Sequence, residues 1–134
     1  MIKCFGLKRA DPQFKPRLML PFFSFDFYTF EYRSPTANGA DPTFEVTKWY
    51  EIEDSQELQD YLAYQFLKVD FIDESVDLVT QPDVSDYVGS VRIPLRELLK
   101  VDRTGVRTYP VNNEKGLQMG NVDIALGYFD ANSQ

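Results

Sequence analysis

The sequence predicts an all-β fold, an eight-stranded antiparallel β-sandwich with one or two short helices on its connections. Short apolar stretches bounded by turn residues recur about every ten to fifteen residues, which is typical of a sandwich. Several of these stretches alternate with period two, as a strand does when one face is buried. The length of 134 residues suits one domain with one core. We therefore treat residues 1–134 as a single domain, with 131–134 as a tail.

The predicted strands follow one another along most of the chain. They are residues 1–9, 20–32, 43–52, 66–72, 87–93, 105–111 and 121–129. The second is the longest apolar run and is aromatic on both faces, which suits a strand in the middle of a sheet. We expect the eighth strand to be hidden in the long second or third run. The last run alternates most regularly, with inward positions Val122, Ile124, Leu126 and Tyr128.

Two short helices are predicted on the connections. "DSQELQDYLAY" (54–64) begins with Asp54 and Glu57 at the spacing of a capping box, and its apolar residues then line one helical face. "IPLRELLK" (93–100) has Pro94 at a favoured first-turn position and leucines at helical spacing.

Composition excludes several classes of protein. No apolar stretch approaches the ~20 residues that span a bilayer, and the first residues contain no apolar signal region, so we expect a cytoplasmic location. The single cysteine, Cys4, excludes a disulfide framework. A net charge of −7 argues against nucleic acid as a partner, because an acidic body repels the phosphate backbone.

The sequence gives little support for catalysis. It contains no histidine, which removes the usual general base and the usual metal ligand. No glycine-rich phosphate-binding loop is present. A pair of carboxylates meeting in a cleft, as in glycosidases, stays open as a weak alternative. We predict that the protein is not an enzyme.

Acidic residues cluster on the predicted loops, and this is the one constellation that suggests a ligand. The acids are Asp41, Asp73, Glu74, Asp77, Asp83 and Asp86. Calcium requires six to eight oxygen ligands, so several of these side chains would have to converge. The alternative is that Asp41 ends a turn and that residues 73–86 form a solvated acidic loop, and spacing alone favours this alternative.

The same residues resemble a C2 domain. "GADPTFEV" is similar to a strand entry of that fold, and "FLKVDFIDES" with "SDYVGSVRIPLRELL" is similar to its later strand, calcium loop, following strand and helix. The nearest likeness is to the central C2 domain of the RPGR-interacting protein/nephrocystin family of ciliary scaffolds. It rests on "PFFSFDFYTFEYRSPTANGADPTF", on the W-Y-x-I strand, on the helix directly before "FLKVDF" and on "GNVDIALGYF". It covers roughly residues 18–130.

The resemblance implies a C2-like Greek-key sandwich with three loops clustered at one end. Calcium-binding members use about five aspartates on the first and third loops. By resemblance, Asp41 is the second acid of the first loop, and Pro35 stands at its partner position. On the third loop Asp73 and Asp86 match the first and last acids, whereas Ser75 replaces the middle one. We expect these positions to be vestigial, with calcium bound weakly if at all.

The alternative is that Glu74, Asp77 or Asp83, on the same loop, partly replaces the missing calcium ligands. In that case the domain would be a weak calcium-dependent phospholipid-binding module. Membrane binding without calcium is not expected, because residues 43–52 carry Lys48 as their only basic residue, between Glu45 and Glu51. A carbohydrate-binding sandwich is a third reading, and it requires an exposed aromatic platform.

The function implied by the resemblance is a calcium-independent protein-protein interaction module of a ciliary scaffold. Its partners would be other basal-body or transition-zone proteins that act in ciliogenesis, and no cofactor is expected. Aromatic residues often dominate interface energies, so exposed ones are candidate anchors. The candidates are Phe22, Tyr28, Phe30, Tyr32 and Trp49. The alternative for each of them is packing in the core.

Overall fold

The structure, a computed structural model, describes residues 2–7, 18–46, 48, 50–53, 55–76, 79–80, 85–96 and 106–125. Within these ranges it contains eight strands and one α-helix, which confirms the all-β prediction. The strands are β1 (Ile2–Phe5), β2 (Pro21–Phe27), β3 (Phe30–Arg33), β4 (Thr43–Phe44), β5 (Phe66–Asp73), β6 (Tyr87–Pro94), β7 (Val106–Asn112) and β8 (Gln118–Ala125). The helix α1 spans Gln56–Tyr64 and connects β4 to β5.

The strands form two layers that are joined at one corner. Their hydrogen-bonded order is β3-β2-β5-β6-β7-β8-β1-β4, with neighbours antiparallel. Between β6 and β7 the pairing is reduced to Ser90 and Asn112, so the sheet folds over at this point. A Cβ on Gly89 would lie 2.8 Å from the carbonyl oxygen of Asn112, so only glycine lets the two backbones approach so closely. We call β3-β2-β5-β6 the first layer and β7-β8-β1-β4 the second layer.

The core lies between the two layers and follows the predicted alternation. In β5, Leu67, Val69 and Phe71 are buried whereas Lys68 is exposed. Phe23 of the first layer packs edge-on against Phe44 of the second, with ring centroids 5.0 Å apart. In β8 the predicted inward residues Val122 and Ile124 are buried, and Leu126 and Tyr128 lie outside the described residues.

The eighth strand is hidden in the second apolar run, as expected. Residues 20–32 form a hairpin in which Phe27 pairs with Phe30 across the two-residue turn Tyr28-Thr29. Such turns need a positive φ at their first central residue, which glycine or asparagine usually supplies. Here Tyr28 has a φ of 54°, and its N–H donates to the hydroxyl oxygen of Tyr61 at 2.9 Å. This hydrogen bond to Tyr61 on α1 thus stabilises a turn that the local sequence does not predict.

Two predicted elements differ from the structure. The strand predicted over 43–52 is reduced to Thr43–Phe44, because its ladder with β1 ends where Ile2 pairs with Phe44. The helix predicted over 93–100 is wrong for its first two residues. Ile93 and Pro94 instead end β6, where they pair with Leu67 and Phe66 of β5. Residues 97–100 lie outside the described residues.

The helix α1 is confirmed, with a different cap. The Ser55 hydroxyl accepts a hydrogen bond from the Leu58 N–H at 3.1 Å, so Ser55 is the N-cap and the predicted capping box at Asp54 starts one residue too early. Leu58 and Leu62 are buried and anchor the helix on the core.

Candidate functional site

Three connections meet at one end of the sandwich, as the resemblance implies. They are β1–β2 (6–20), β3–β4 (34–42) and β5–β6 (74–86), and we call this region the loop end. They meet because the start of β2 lies beside the end of β5, where Pro21 pairs with Asp73. Backbone hydrogen bonds join their described parts: the Gly39 N–H donates to the Met19 carbonyl, and the Leu7 N–H donates to the Ala40 carbonyl, both at 2.8 Å.

Asp73 lies at the centre of the loop end. It is the last residue of β5 and is fully buried. Its Oδ1 accepts hydrogen bonds from the Leu20 N–H at 3.0 Å and from the Ser75 N–H at 2.9 Å. Its own N–H donates to the carbonyl oxygen of Asp86 at 2.8 Å. Because hydrogen bonds to a charged acceptor are stronger than neutral ones, this carboxylate fixes two connections to each other.

Glu74 joins the β3–β4 connection to the other two. Its carboxylate pairs with the Arg33 guanidinium at the end of β3 and accepts a hydrogen bond from the Thr36 hydroxyl. Its backbone N–H donates to the Leu20 carbonyl oxygen at 2.9 Å. The guanidinium of Arg33 also lies 4.0 Å from the ring centroid of Phe22. The Asp73–Glu74 dipeptide therefore links all three connections at the loop end.

Asp41 occupies a different place from the one that the resemblance implies. It lies between β3 and β4, which is the second of the three connections and not the first. Its Oδ1 accepts a hydrogen bond from the Gly6 N–H at 2.6 Å and so ties this connection to the end of β1. The first connection contains the chain's other Asp-Pro pair, Asp11-Pro12, which lies outside the described residues. With two Asp-Pro pairs, the sequence alone does not decide which of them belongs to the first loop.

Two of the described carboxylates have hydrogen-bond or ion-pair partners within the chain. Calcium needs six to eight oxygen ligands that converge on one point. Here Oδ1 of Asp73 accepts hydrogen bonds from two N–H groups, and the carboxylate of Glu74 pairs with a guanidinium. Among the described residues, no three acidic or cysteine side chains form a group that could hold a metal. Asp86 is half-buried at the start of β6, and Asp77 and Asp83 lie outside the described residues.

Four of the five candidate aromatic anchors are described, and each is in contact with another side chain. Phe22 is 7% exposed and lies beneath Arg33. Tyr32 is 5.4 Å from Phe25, and Phe30 is 4.6 Å from Tyr50, measured between ring centroids. Tyr28 packs at 5.3 Å from Tyr61, and Trp49 lies outside the described residues. The packing alternative that the sequence left open thus describes Phe22 best, while the other three are half-buried.

Cys4 is not poised to act as a nucleophile. Burial raises the pKa of the Cys4 thiol to about 12, and the negative charges of Asp123 and Asp41 add to this effect. Because the thiolate is the reactive form, the thiol is inert at neutral pH.

In the part of the chain that the structure describes, no helix has the length and apolar character needed to cross a bilayer.

Solved structures that share this fold are C2 domains. A chain of CC2D1B superimposes with a TM-score of 0.63 at 12% identity, over 93% of this chain and 54% of that one. This chain thus spans about half of that protein chain. A C2 domain-containing protein from a putative elicitor-responsive gene gives 0.58 at 17% identity, over 99% and 92% of the two chains. A tandem pair of C2 domains from Extended-Synaptotagmin 2 gives 0.57 at 15% identity, over 96% and 42%.

Identities this low show the fold and not the function. Among curated proteins no sequence relative matches significantly. The family model that matches covers residues 7–128 and describes the first C2 domain of RPGR-interacting protein 1, where we expected the central one. With the sandwich, the three connections at one end and this match over nearly the whole chain, the protein belongs to the C2 domain family of RPGR-interacting protein 1.

Proposed function

We propose that this domain is a non-catalytic protein-protein interaction module that works without calcium. The observation that carries the proposal is the Asp73–Glu74 dipeptide, whose hydrogen bonds and ion pair link the three connections at the loop end. A bound calcium ion would join such loops by bridging their carboxylates. Here N–H groups and a guanidinium already supply the positive partners.

Calcium that bound at Asp73 Oδ1 or at Glu74 would have to displace those partners. Asp73 would leave two N–H groups without their acceptor, and removing the acceptor of a buried donor costs about 1–3 kcal/mol for each group. Glu74 would have to separate from Arg33, which is a permanently charged side chain. The loop end therefore favours its own partners over the ion.

The family match supports a role in a scaffold with protein partners, since the family is named for an RPGR-interacting protein. We propose that the domain acts on the cytoplasmic side of the basal body or transition zone of a cilium. Its partners there would be other proteins of the same compartment.

Calorimetry of this chain with millimolar calcium chloride tests the metal part of the proposal. We expect only the heat of dilution. Heat that is abolished by Asp86→Ala, and by the milder change Asp73→Asn, would overturn it. Asp60→Ala is the matched control, because Asp60 is an exposed acid on α1.

Affinity capture from ciliated cells, with and without a calcium chelator, tests the partner part. We expect the same proteins to be recovered in both conditions, and Asp41→Asn to leave the recovery unchanged, because that carboxylate lies against the Gly6 N–H. Recovery of protein partners only in the presence of calcium would contradict the proposal.

A second candidate function is contact with lipid at the loop end. Leu18 (58%) is exposed on the β1–β2 connection and Val79 (90%) on the β5–β6 connection. Leu117 (54%) is exposed on the β7–β8 turn, which the antiparallel strand order places at the same end. Apolar side chains on adjacent loops can enter the boundary of a bilayer. The exposed acids Asp41 and Glu74 at the same end oppose this, because they repel anionic headgroups.

Sedimentation with phosphatidylserine vesicles separates the two candidates. We expect the domain to stay in the supernatant with or without about 1 mM calcium. Sedimentation that requires calcium, and that is lost in the triple variant Leu18→Ser, Val79→Ser, Leu117→Ser, would favour lipid binding over the interaction module.

A further inference from the structure

The outer face of the first layer, the side turned away from the core, carries an ordered row of charges. One residue comes from each strand: Glu31 on β3, Asp26 on β2, Lys68 on β5 and Arg92 on β6. Glu31 is opposite Asp26, and Lys68 is opposite Arg92, in the registers of their strand pairs. The pairing of Phe25 with Val69 places Asp26 next to Lys68 across β2 and β5. The row therefore reads acid, acid, base, base, and all four side chains are exposed.

This order is unfavourable for an isolated sheet. Like charges directly opposite each other on neighbouring strands are destabilising, and the row contains two such pairs side by side. Lys68 lies 3.5 Å from Asp70 on its own strand. Among the described residues, no ion pair connects the acidic half of the row to the basic half. Asp26 and Lys68 are neighbours of opposite charge, and Lys68 also pairs with Asp70, so the inner half of the row is compensated within the sheet. The row offers no base to Glu31 and no acid to Arg92, and these two outer charges are exposed to another surface.

A second copy of the same face is complementary to this row in charge. A two-fold axis parallel to the strands, above the boundary of β2 and β5, brings β2 of one copy over β5 of the other and β3 over β6. Asp26 then faces Lys68 of the second copy, and Glu31 faces Arg92, each twice because the interface is isologous. Sheets that pack face to face lie about 10 Å apart, a distance that paired lysine or arginine and acidic side chains can bridge.

Phe66 extends the same face beyond the charged row. It is 48% exposed on β5, and the Arg92 guanidinium lies 5.5 Å from its ring centroid. The two-fold axis brings it towards the β2–β3 turn of the second copy. An exposed aromatic residue at the border of a charged face supplies apolar contact area to an interface.

We propose that the outer face of the first layer docks a second copy of this chain through this self-complementary charge row. The dimer is weak, because exposed ion pairs contribute little each and the net charge of −7 on each copy opposes association.

Sedimentation velocity over a concentration series of this chain tests the proposal. The wild type should show a sedimentation coefficient that rises with concentration up to about 1 mM, as weak dimers do. Glu31→Lys alone, or Arg92→Glu alone, should raise the dimer dissociation constant about tenfold or more, since each change creates two like-charge contacts. The double variant with both changes keeps the net charge and should return to wild-type behaviour.

A mixture of the two single variants should also associate like the wild type, because each restores the charge pair of the other. Lys115→Glu is the matched control for Arg92→Glu, with the same change of net charge in the β7–β8 turn, and it should leave association unchanged. Thermal melting confirms that each variant folds. A monomeric wild type over the whole series, or a double variant that fails to recover, would overturn the proposal. Binding of an acidic protein to the Lys68 and Arg92 half by a monomeric chain would overturn it as well.

Discussion

The two ends of the sandwich are held together by different forces. At the loop end, Asp73 and Glu74 bind N–H groups, a hydroxyl and a guanidinium from three connections. At the opposite end, which we call the aromatic end, rings pack on one another: Phe27 and Tyr28 lie 5.9 and 5.3 Å from Tyr61, and Phe30 lies 4.6 Å from Tyr50. A hydrogen bond from the Tyr28 N–H to Tyr61 accompanies these rings.

This difference predicts how the stability of each end responds to the loss of a side chain. Hydrogen bonds to one buried carboxylate concentrate the stabilisation in one side chain, so the loss of Asp73 leaves two N–H donors without this acceptor. Ring contacts distribute it over several residues, each pair contributing about 0.5–1.5 kcal/mol beyond the area buried. The loop end therefore depends on few residues.

Removal of the Asp73 side chain should have the largest effect and tests whether stabilisation at the loop end is concentrated. We expect Asp73→Ala to lower the free energy of unfolding by about 3 kcal/mol, because the Leu20 and Ser75 N–H groups lose their shared acceptor. Urea denaturation measures this. Asp86→Ala is the control and should cost less than about 1 kcal/mol, because Asp86 joins the network through its backbone carbonyl. Equal losses for the two variants would contradict the comparison.

At the aromatic end, loss of the Tyr61 hydroxyl should have a smaller effect. Tyr61→Phe keeps the ring contacts and removes the acceptor of the Tyr28 N–H, so we expect a loss of about 1 kcal/mol in the same urea experiment. Tyr64→Phe is the matched control, since Tyr64 is 77% exposed, and it should be neutral. A loss as large as that of Asp73→Ala would mean that the aromatic end also depends on one polar contact.

The pH dependence of stability tests the surroundings of Cys4, whose N–H donates to the carbonyl of Pro42 beside the loop end. Its folded pKa is raised to about 12 from the ordinary value of 9.0, so the stabilising contribution is complete below pH 9. It decreases as the pH rises towards the folded pKa, because the unfolded chain loses the thiol proton first. We expect a loss of about 1 kcal/mol at about pH 10, measured against Cys4→Ala, which lacks this contribution. An identical pH profile for the two proteins would contradict the assignment.

Neutralising Glu74 should change stability least, because its ion pair with Arg33 is exposed. We expect Glu74→Gln to cost about 0.5 kcal/mol or less in global stability. Amide exchange near Thr36 should nevertheless accelerate, because the variant loses the charge that holds the β3–β4 connection. Glu57→Gln on α1 is the control. Unchanged exchange at Thr36 would show that Asp73 alone orders the loop end.

Much of the fold follows from patterns that the sequence displays. The alternation in β5 and β8 identifies their buried faces, because each has one face on the core. The β2–β3 hairpin could not be located, since its turn contains neither glycine nor asparagine and is held by distant Tyr61. Proline suits both a first helical turn and the end of a strand, so the sequence around Pro94 predicts a helix as readily as a strand. Only the pairing of Pro94 with Phe66 decides between them.

For the site, the sequence predicts which acids reach the loop end but not what they bind there. Asp73 and Asp86 lie at the two ends of the β5–β6 connection, where the resemblance places them. The partners of Asp73 are backbone N–H groups, which no residue type reveals. Nothing in the sequence identifies Arg33 and Thr36 as partners of Glu74, because this contact depends on the β2–β3 hairpin, which the sequence does not predict.

Amide hydrogen exchange of Leu20 and Ser75, in chelator and then in about 5 mM calcium, tests the central claim most directly, since millimolar calcium exceeds the range of sensor sites. Both N–H groups donate to the Asp73 carboxylate. If the loop end is ordered by the chain's own hydrogen bonds, both amides are protected in chelator, and calcium leaves their exchange rates unchanged. Rapid exchange in chelator that becomes slow in calcium would contradict the account.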